Sequence, residues 1–249
     1  MTTLQQRTPA WHNARSGKLT ASNLAGVLGL STFCSRNETY KRIRGVTKFE
    51  GNDATRYGCA NEQNGINAYQ VVTGNLVEPT GLWTHKDYNW LAGSPDGLVG
   101  DEGMIEVKCP YYRKVAHTQI PIYYYIQMIA CLEMTQRAWC DYVCWTPECT
   151  TMFRVSRDEV LFDFLLPYWG HVYSCLAAGA EDLPALKADV KDGIMKRVQS
   201  SMTESIHYNY YAKADGEESP PCLSEHDIDS ELEADEPIAK RMCLSSEAM

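Results

Sequence analysis

Apolar and polar positions alternate with period two along GSPDGLVGDEGMIEVK, residues 93–108. Read as strand, this puts Ile105 and Val107 on one face and Glu106 and Lys108 on the other. The polar break Gly100–Asp101–Glu102–Gly103 predicts a hairpin turn, with glycines available for unusual backbone angles. Folding about it sets Val99 near Met104 and Leu98 near Ile105, and so brings Asp96 close to Glu106. Two carboxylates and an ammonium then converge at one end of a hairpin.

The flanking patterns are mostly helical. Residues 8–30 read as two helices joined by a turn at Gly17, with Pro9 in the first turn and Thr20 or Ser22 as the second cap. A basic helix over 34–48 and a helix over 55–74 carrying Glu62 follow. Residues 76–93 alternate like one or two strands. Residues 121–134 are apolar almost all round and predict a buried helix in which Gln127 needs a polar partner. Residues 138–145 and 150–155 read as a strand pair. A long helix capped by Ser156 runs to 177 with Pro167 inside it, and an amphipathic helix spans 183–199. This order predicts an α/β (α+β) fold, a sheet with helical flanks, and excludes a doubly wound one.

Charge changes the picture at one end. The net charge of −9 speaks against a nucleic-acid partner, but residues 200–249 hold 12 of the 32 acidic and 3 of the 23 basic residues. The first 199 residues are therefore neutral, and a neutral body can carry a basic groove. We read 1–200 as one domain and 201–249 as an acidic tail, without a core-forming period and disordered from about 205. No apolar run is long enough for a bilayer, and no secretory signal opens the chain. The ten cysteines are then reduced thiols in an intracellular setting, cytoplasm or nucleus.

Asp96 and Glu106 on rigid strands can bind Mg²⁺ or Mn²⁺ through oxygen, and Lys108 can orient or help deprotonate a bound water, or stabilise charge on a phosphoryl group. Other residues keep two readings. Arg15, Lys18, Thr20 and Ser22 suit a phosphate near a helix N-terminus, or Ser22 is a cap and Arg15 a surface charge. Tyr111, Tyr112, Arg113 and Lys114 suit DNA backbone gripping or base stacking, or form an ordinary loop in which His117 is a lone histidine. Glu62, alone on its helix, reads as solvent-facing.

The run SPDG…IEVKCP resembles the core of the PD-(D/E)XK nucleases, specifically the YqaJ viral-recombinase branch (the lambda exonuclease family). Three further motifs agree, in order. They are Trp11, Arg15 and Thr20-Ala21-Ser22 with Gly29; Tyr57-Gly58 with Glu62; and Tyr125 with Gln127. The resemblance spans about residues 7–146. It implies a restriction-endonuclease-like core, with Asp96 and Glu106 as metal ligands, the Val107 carbonyl as a further ligand and Lys108 as the catalytic lysine. It implies that Glu62 points toward the metals and helps hold a second ion, that Gln127 supports the site, and that Arg15 and Ser22 hold a 5′-phosphate. The activity implied is Mg²⁺- or Mn²⁺-dependent 5′→3′ digestion of double-stranded DNA ends. That digestion leaves 3′ single strands for a single-strand annealing protein; the implied assembly is a trimer.

Three other readings stand beside it. One is an endonuclease of the same superfamily acting on DNA or RNA. A second adds an iron–sulfur cluster on Cys140, Cys144 and Cys149 with Cys34 or Cys59, disfavoured because Cys140 and Cys144 fall on an apparent strand. A third is a non-enzymatic DNA-binding or scaffold protein with a degenerate site.

Overall fold

The computed structural model describes residues 4–47, 50–112 and 114–213. Helix α1 (Pro9–Arg15) starts where the Thr8 hydroxyl accepts from the Trp11 amide, and Pro9 occupies its first turn. Strand β1 (Leu19–Thr20) then separates it from α2 (Ala21–Val27), so the two expected helices are not joined by a simple turn. Thr20 is the residue before α2, but its hydroxyl makes no cap bond. Helix α3 (Arg36–Ile43) is capped by Ser35. Helix α4 (Asp53–Thr73) opens with a capping box between Asn52 and Thr55 and ends at Gly74, φ 70°.

Strands β2 (Trp83–Thr84), β3 (Leu91–Gly93), β4 (Gly97–Val99) and β5 (Gly103–Lys108) follow. Next come α5 (Ile122–Thr135), β6 (Trp139–Trp145), β7 (Cys149–Ser156), α6 (Glu159–Ala177), α7 (Ala188–Ser205) and β8 (Ile206–Lys213). The cap of α6 is Asp158, whose side chain accepts from the Leu161 amide, and not the expected Ser156, which ends β7. Pro167 lies inside α6.

Five strands form the main sheet in the order β4-β5-β6-β7-β8, and a small sheet has the order β1-β3-β2. Among the described residues, only β5 and β6 pair in parallel within the main sheet; α5 makes the crossover between them. Strand β8 pairs along β7, so residues 206–213, expected to belong to a polar tail, extend the sheet instead. The acidic stretch from 214 to 249 lies outside the described residues. Among the described residues no helix is long and apolar enough to cross a membrane.

The sheet is covered on both faces. Met104 from β5 and Cys140, Tyr142 and Cys144 from β6 pack with α2, α5, α6 and α7 in the larger core. Ile105, Val107, Val143 and Met152 face Tyr69 of α4 in a smaller one. Gly65 permits that second packing. A β-carbon there would stand 2.5 Å from Val107 Cγ1, so only glycine lets α4 lie this close to β5.

Candidate active site

The hairpin forms one residue out of the expected register. Gly97 pairs with Ile105, Leu98 with Met104 and Val99 with Gly103, leaving a three-residue loop in which Gly100 takes φ 52°. The reason lies outside the hairpin: the Trp139 ring packs where a β-carbon at Gly103 would sit, so Gly103 belongs to the strand. Asp96, just before the last paired residue Gly97, is held against both neighbours of Glu106. The Asp96 amide donates to the Ile105 carbonyl (3.2 Å), and the Val107 amide donates to Asp96 Oδ2 (2.7 Å). The carboxylate is thus anchored by backbone on one side.

Glu106 is 1% exposed and points toward α5, as the period-two reading requires. Its Oε1 accepts from Gln127 Nε2 (2.5 Å), so the odd amide of the buried helix finds its partner here. Lys108 Nζ also donates to that oxygen, and to the Val107 carbonyl at 3.2 Å. Its Nζ lies 4.8 Å from the Tyr124 ring centroid. Glu106 Oε2 is buried and has no hydrogen-bond partner among the described residues. A buried carboxylate oxygen without a donor is costly unless something cationic meets it. Burial, reinforced by Asp96 and Glu62 and opposed by Lys108, pushes the Glu106 carboxyl up to about 7. Burial pulls the Lys108 ammonium down, but Glu106 and Asp96 outweigh it and hold the pKa above its usual value.

Glu62 does not face open solvent. It is a quarter exposed and lines a cavity of about 430 Å³ together with Asp96, Val107 and Lys108. Burial and then Asp96 raise its carboxyl, while Arg7, which pairs with it, opposes the rise. Tyr111 and Tyr124 add aromatic walls to the same cavity. Tyr57 and Tyr111 lie 5.6 Å apart, with Lys114 Nζ 5.6 Å from the Tyr57 ring. Arg113 lies outside the described residues. Lys18 Nζ is committed to the Asn89 carbonyl.

Arg15 stacks 4.0 Å from the Trp11 ring centroid and reaches Thr20 Oγ1 at 3.4 Å. Thr20 Oγ1 in turn lies 3.4 Å from Ser22 Oγ and accepts from Asn23 Nδ2 at 3.0 Å. Trp11 Nε1 donates to Ser94 Oγ (2.9 Å), tying this polar cluster to the chain two residues before Asp96. Burial lowers the Arg15 pKa from its ordinary value.

His117 is not a lone loop residue. Its Nδ1 lies 2.5 Å from Tyr142 Oη and its amide donates to Cys144 Sγ; burial, then Lys108, pull its imidazole down to about 4. Its position depends on tertiary packing that leaves no local signal. Cys140 and Cys144 are buried on β6, Cys149 opens β7, and among the described residues none of the three forms a disulfide. Among the described residues no three His, Cys, Asp or Glu side chains converge closely enough to ligate one ion. Metal ligation at the hairpin would therefore rest on two carboxylates, Asp96 and Glu106, completed by the Val107 carbonyl and non-protein oxygens. The orphaned Glu106 Oε2 and the all-oxygen donor set fit a hard divalent cation.

Residues 10–138 match the YqaJ-like viral recombinase domain. The fold is similar to the alkaline exonuclease LHK-Exo from Laribacter hongkongensis, with 26% identity and TM-score 0.60 over 78% of this chain and 99% of that one. It is likewise similar to LHK-Exo in complex with dAMP, with 26% identity and TM-score 0.56 over 80% and 100% of the two chains. No curated protein sequence matches. The family match over half the chain, on a mixed sheet flanked by helices, identifies this protein as a member of the YqaJ-like viral recombinase family with a PD-(D/E)XK-type fold.

Proposed function

We propose that this protein is a divalent-metal-dependent exonuclease that hydrolyses phosphodiesters of linear double-stranded DNA from the 5′ end. The observation that carries the reading is the buried, half-satisfied Glu106 carboxylate, with Lys108 bonded to it and Asp96 bonded to its strand neighbours Ile105 and Val107. Asp96, Glu106 and the Val107 carbonyl would hold Mg²⁺ or Mn²⁺. When bound, such an ion polarises the phosphoryl group and activates the attacking water. Glu62 stands at the edge of this ligand set, and Gln127 fixes the orientation of Glu106 from α5. Lys108, bonded to Glu106 and lining the same cavity as Asp96, is placed to orient the attacking water or to stabilise charge on the phosphoryl oxygens.

The alkaline exonucleases that this fold resembles support exonuclease over scaffold. The 5′→3′ direction rests on the Arg15–Thr20–Ser22 cluster, because Trp11 links it to Ser94 beside the catalytic hairpin. A guanidinium with two hydroxyls there suits a terminal 5′-phosphate. The products would be mononucleotides and 3′ single strands, the substrate of an annealing protein.

The test is digestion of linear, circular and single-stranded DNA and of RNA with Mg²⁺ or Mn²⁺. We expect nucleotide release from linear duplex, loss of about 10³-fold in Lys108→Ala, and faster digestion of 5′-phosphorylated than 5′-hydroxyl ends. Arg15→Ala should erase that end preference. Wild-type protein that releases nothing from linear duplex refutes the reading, and cleavage of closed circles or RNA replaces it with an endonuclease.

A further inference from the structure

Residues Leu4–Arg7 carry no sequence pattern, yet they are fastened beside the catalytic hairpin. Gln5 forms an antiparallel bridge with Gly81, where a β-carbon would stand 2.2 Å from the Leu4 carbonyl oxygen. Gln6 Nε2 donates to the Pro95 carbonyl at 2.7 Å, one residue before Asp96. Arg7 takes φ 65°, a left-handed conformation unfavourable for a residue with a β-carbon. Thr8 then caps α1. Pinned from both sides, the strained backbone delivers the Arg7 guanidinium to the Glu62 carboxylate.

That contact matters because of the charges around it. Glu62 and Asp96 line one cavity with Lys108; Asp96 and Glu62 both disfavour ionisation of the buried Glu106, and Asp96 disfavours that of Glu62. Lys108 is bonded to Glu106, and the Asp96 carboxylate is held by a backbone amide. The cation paired directly with Glu62 is Arg7, whose guanidinium also feels Asp96. We propose that Arg7 is a positioning residue that serves as the resident cation of Glu62, holding that carboxylate and denying divalent ions a site shared between Glu62 and Asp96. High-affinity metal binding is thereby confined to the Asp96–Glu106 side. The proposal rests on the metal-dependent reading above, but its test needs no turnover.

The experiment is a calorimetric Mn²⁺ titration of the full chain, with electron paramagnetic resonance to count bound ions. Arg7 is half exposed, so Arg7→Ala is expected to fold. We expect Arg7→Ala to gain a second ion, or to tighten the weaker binding event at least about tenfold, since a salt-bridged carboxylate is freed. Arg7→Lys, which keeps a cation, should titrate like wild type. Arg7→Ala combined with Glu62→Gln should lose the gain. Superposable isotherms for wild type and Arg7→Ala, or a gain that survives Glu62→Gln, overturn the proposal. Duplex digestion by wild type judges the nuclease reading separately.

Discussion

Glu106 and Asp141 sit on neighbouring strands, both nearly inaccessible, and end in opposite electrostatic situations. Asp141 pairs in register with Ile105 and points toward α4. Tyr69 Oη donates to it at 2.8 Å, and Arg154 grips both oxygens at 2.8 and 2.7 Å while stacking 3.7 Å from the Trp139 ring centroid. Every oxygen of Asp141 is used. Glu106, one residue along β5 from Ile105 and on the other face, receives both its donors on one oxygen and leaves the other bare. A fully satisfied buried carboxylate locks helix to sheet; a half-satisfied one keeps capacity for a ligand.

Three experiments can break or sharpen that contrast. The largest effect is expected from exchanging charge for amide at each site. Glu106→Gln should lower cleavage by about 10³-fold with the thermal midpoint little changed. Asp141→Asn should cost about 2–4 kcal/mol in chemical denaturation, less than a fully buried pair because Arg154 is partly solvated, while cleavage per folded molecule persists. If both variants lose activity equally while folded, the distinction between the two carboxylates is wrong.

A smaller effect concerns pH. With a folded pKa of about 7 against an ordinary 4.5, metal-free Glu106 holds its proton more tightly than in the unfolded chain. Its contribution to stability is therefore present at low pH and is lost as pH rises from 4.5 through 7. A metal must displace the same proton, so Mn²⁺ affinity should be about tenfold weaker at pH 6 than at pH 8, read by titration calorimetry. Asp141→Asn should keep that slope. A flat profile would mean that Glu106 is not a ligand.

The smallest effect is expected at Gln127. Gln127→Ala removes an oriented bond to Glu106 without touching the reacting groups, and should cost about 10-fold in kcat. A similar loss in stability with kcat unchanged would make Gln127 a packing residue.

Much of this centre could be read from residue order alone. The alternation Ile105–Glu106–Val107–Lys108 assigned faces correctly, because period two survives any register. The pairing itself slipped by one, because Trp139, thirty-six residues downstream of Gly103, decides that Gly103 belongs to the strand. Gln127 announced itself as a polar residue in an apolar helix. Asp141 carries the same kind of signal, an acid within the apolar run AWCDYVCW, which calls for a buried partner such as Arg154. Strand β8 was hidden by the acidic composition that follows it, although the β-favouring tyrosines of IHYNYYAK were visible. Arg7 was illegible, since its importance depends on a backbone path that no periodicity encodes.

Gly65 has a consequence for how this molecule tolerates mutation. It is the point at which α4 rests on β5, one turn from Glu62. A larger residue there must push aside the Val107 side chain, between Glu106 and Lys108, or shift α4 and with it the Glu62 carboxylate. A displacement of about 1 Å at a reacting geometry can cost about 10²-fold in rate. Variation at this one glycine would thus behave genetically like a lesion of the chemistry, in a protein that still folds and accumulates.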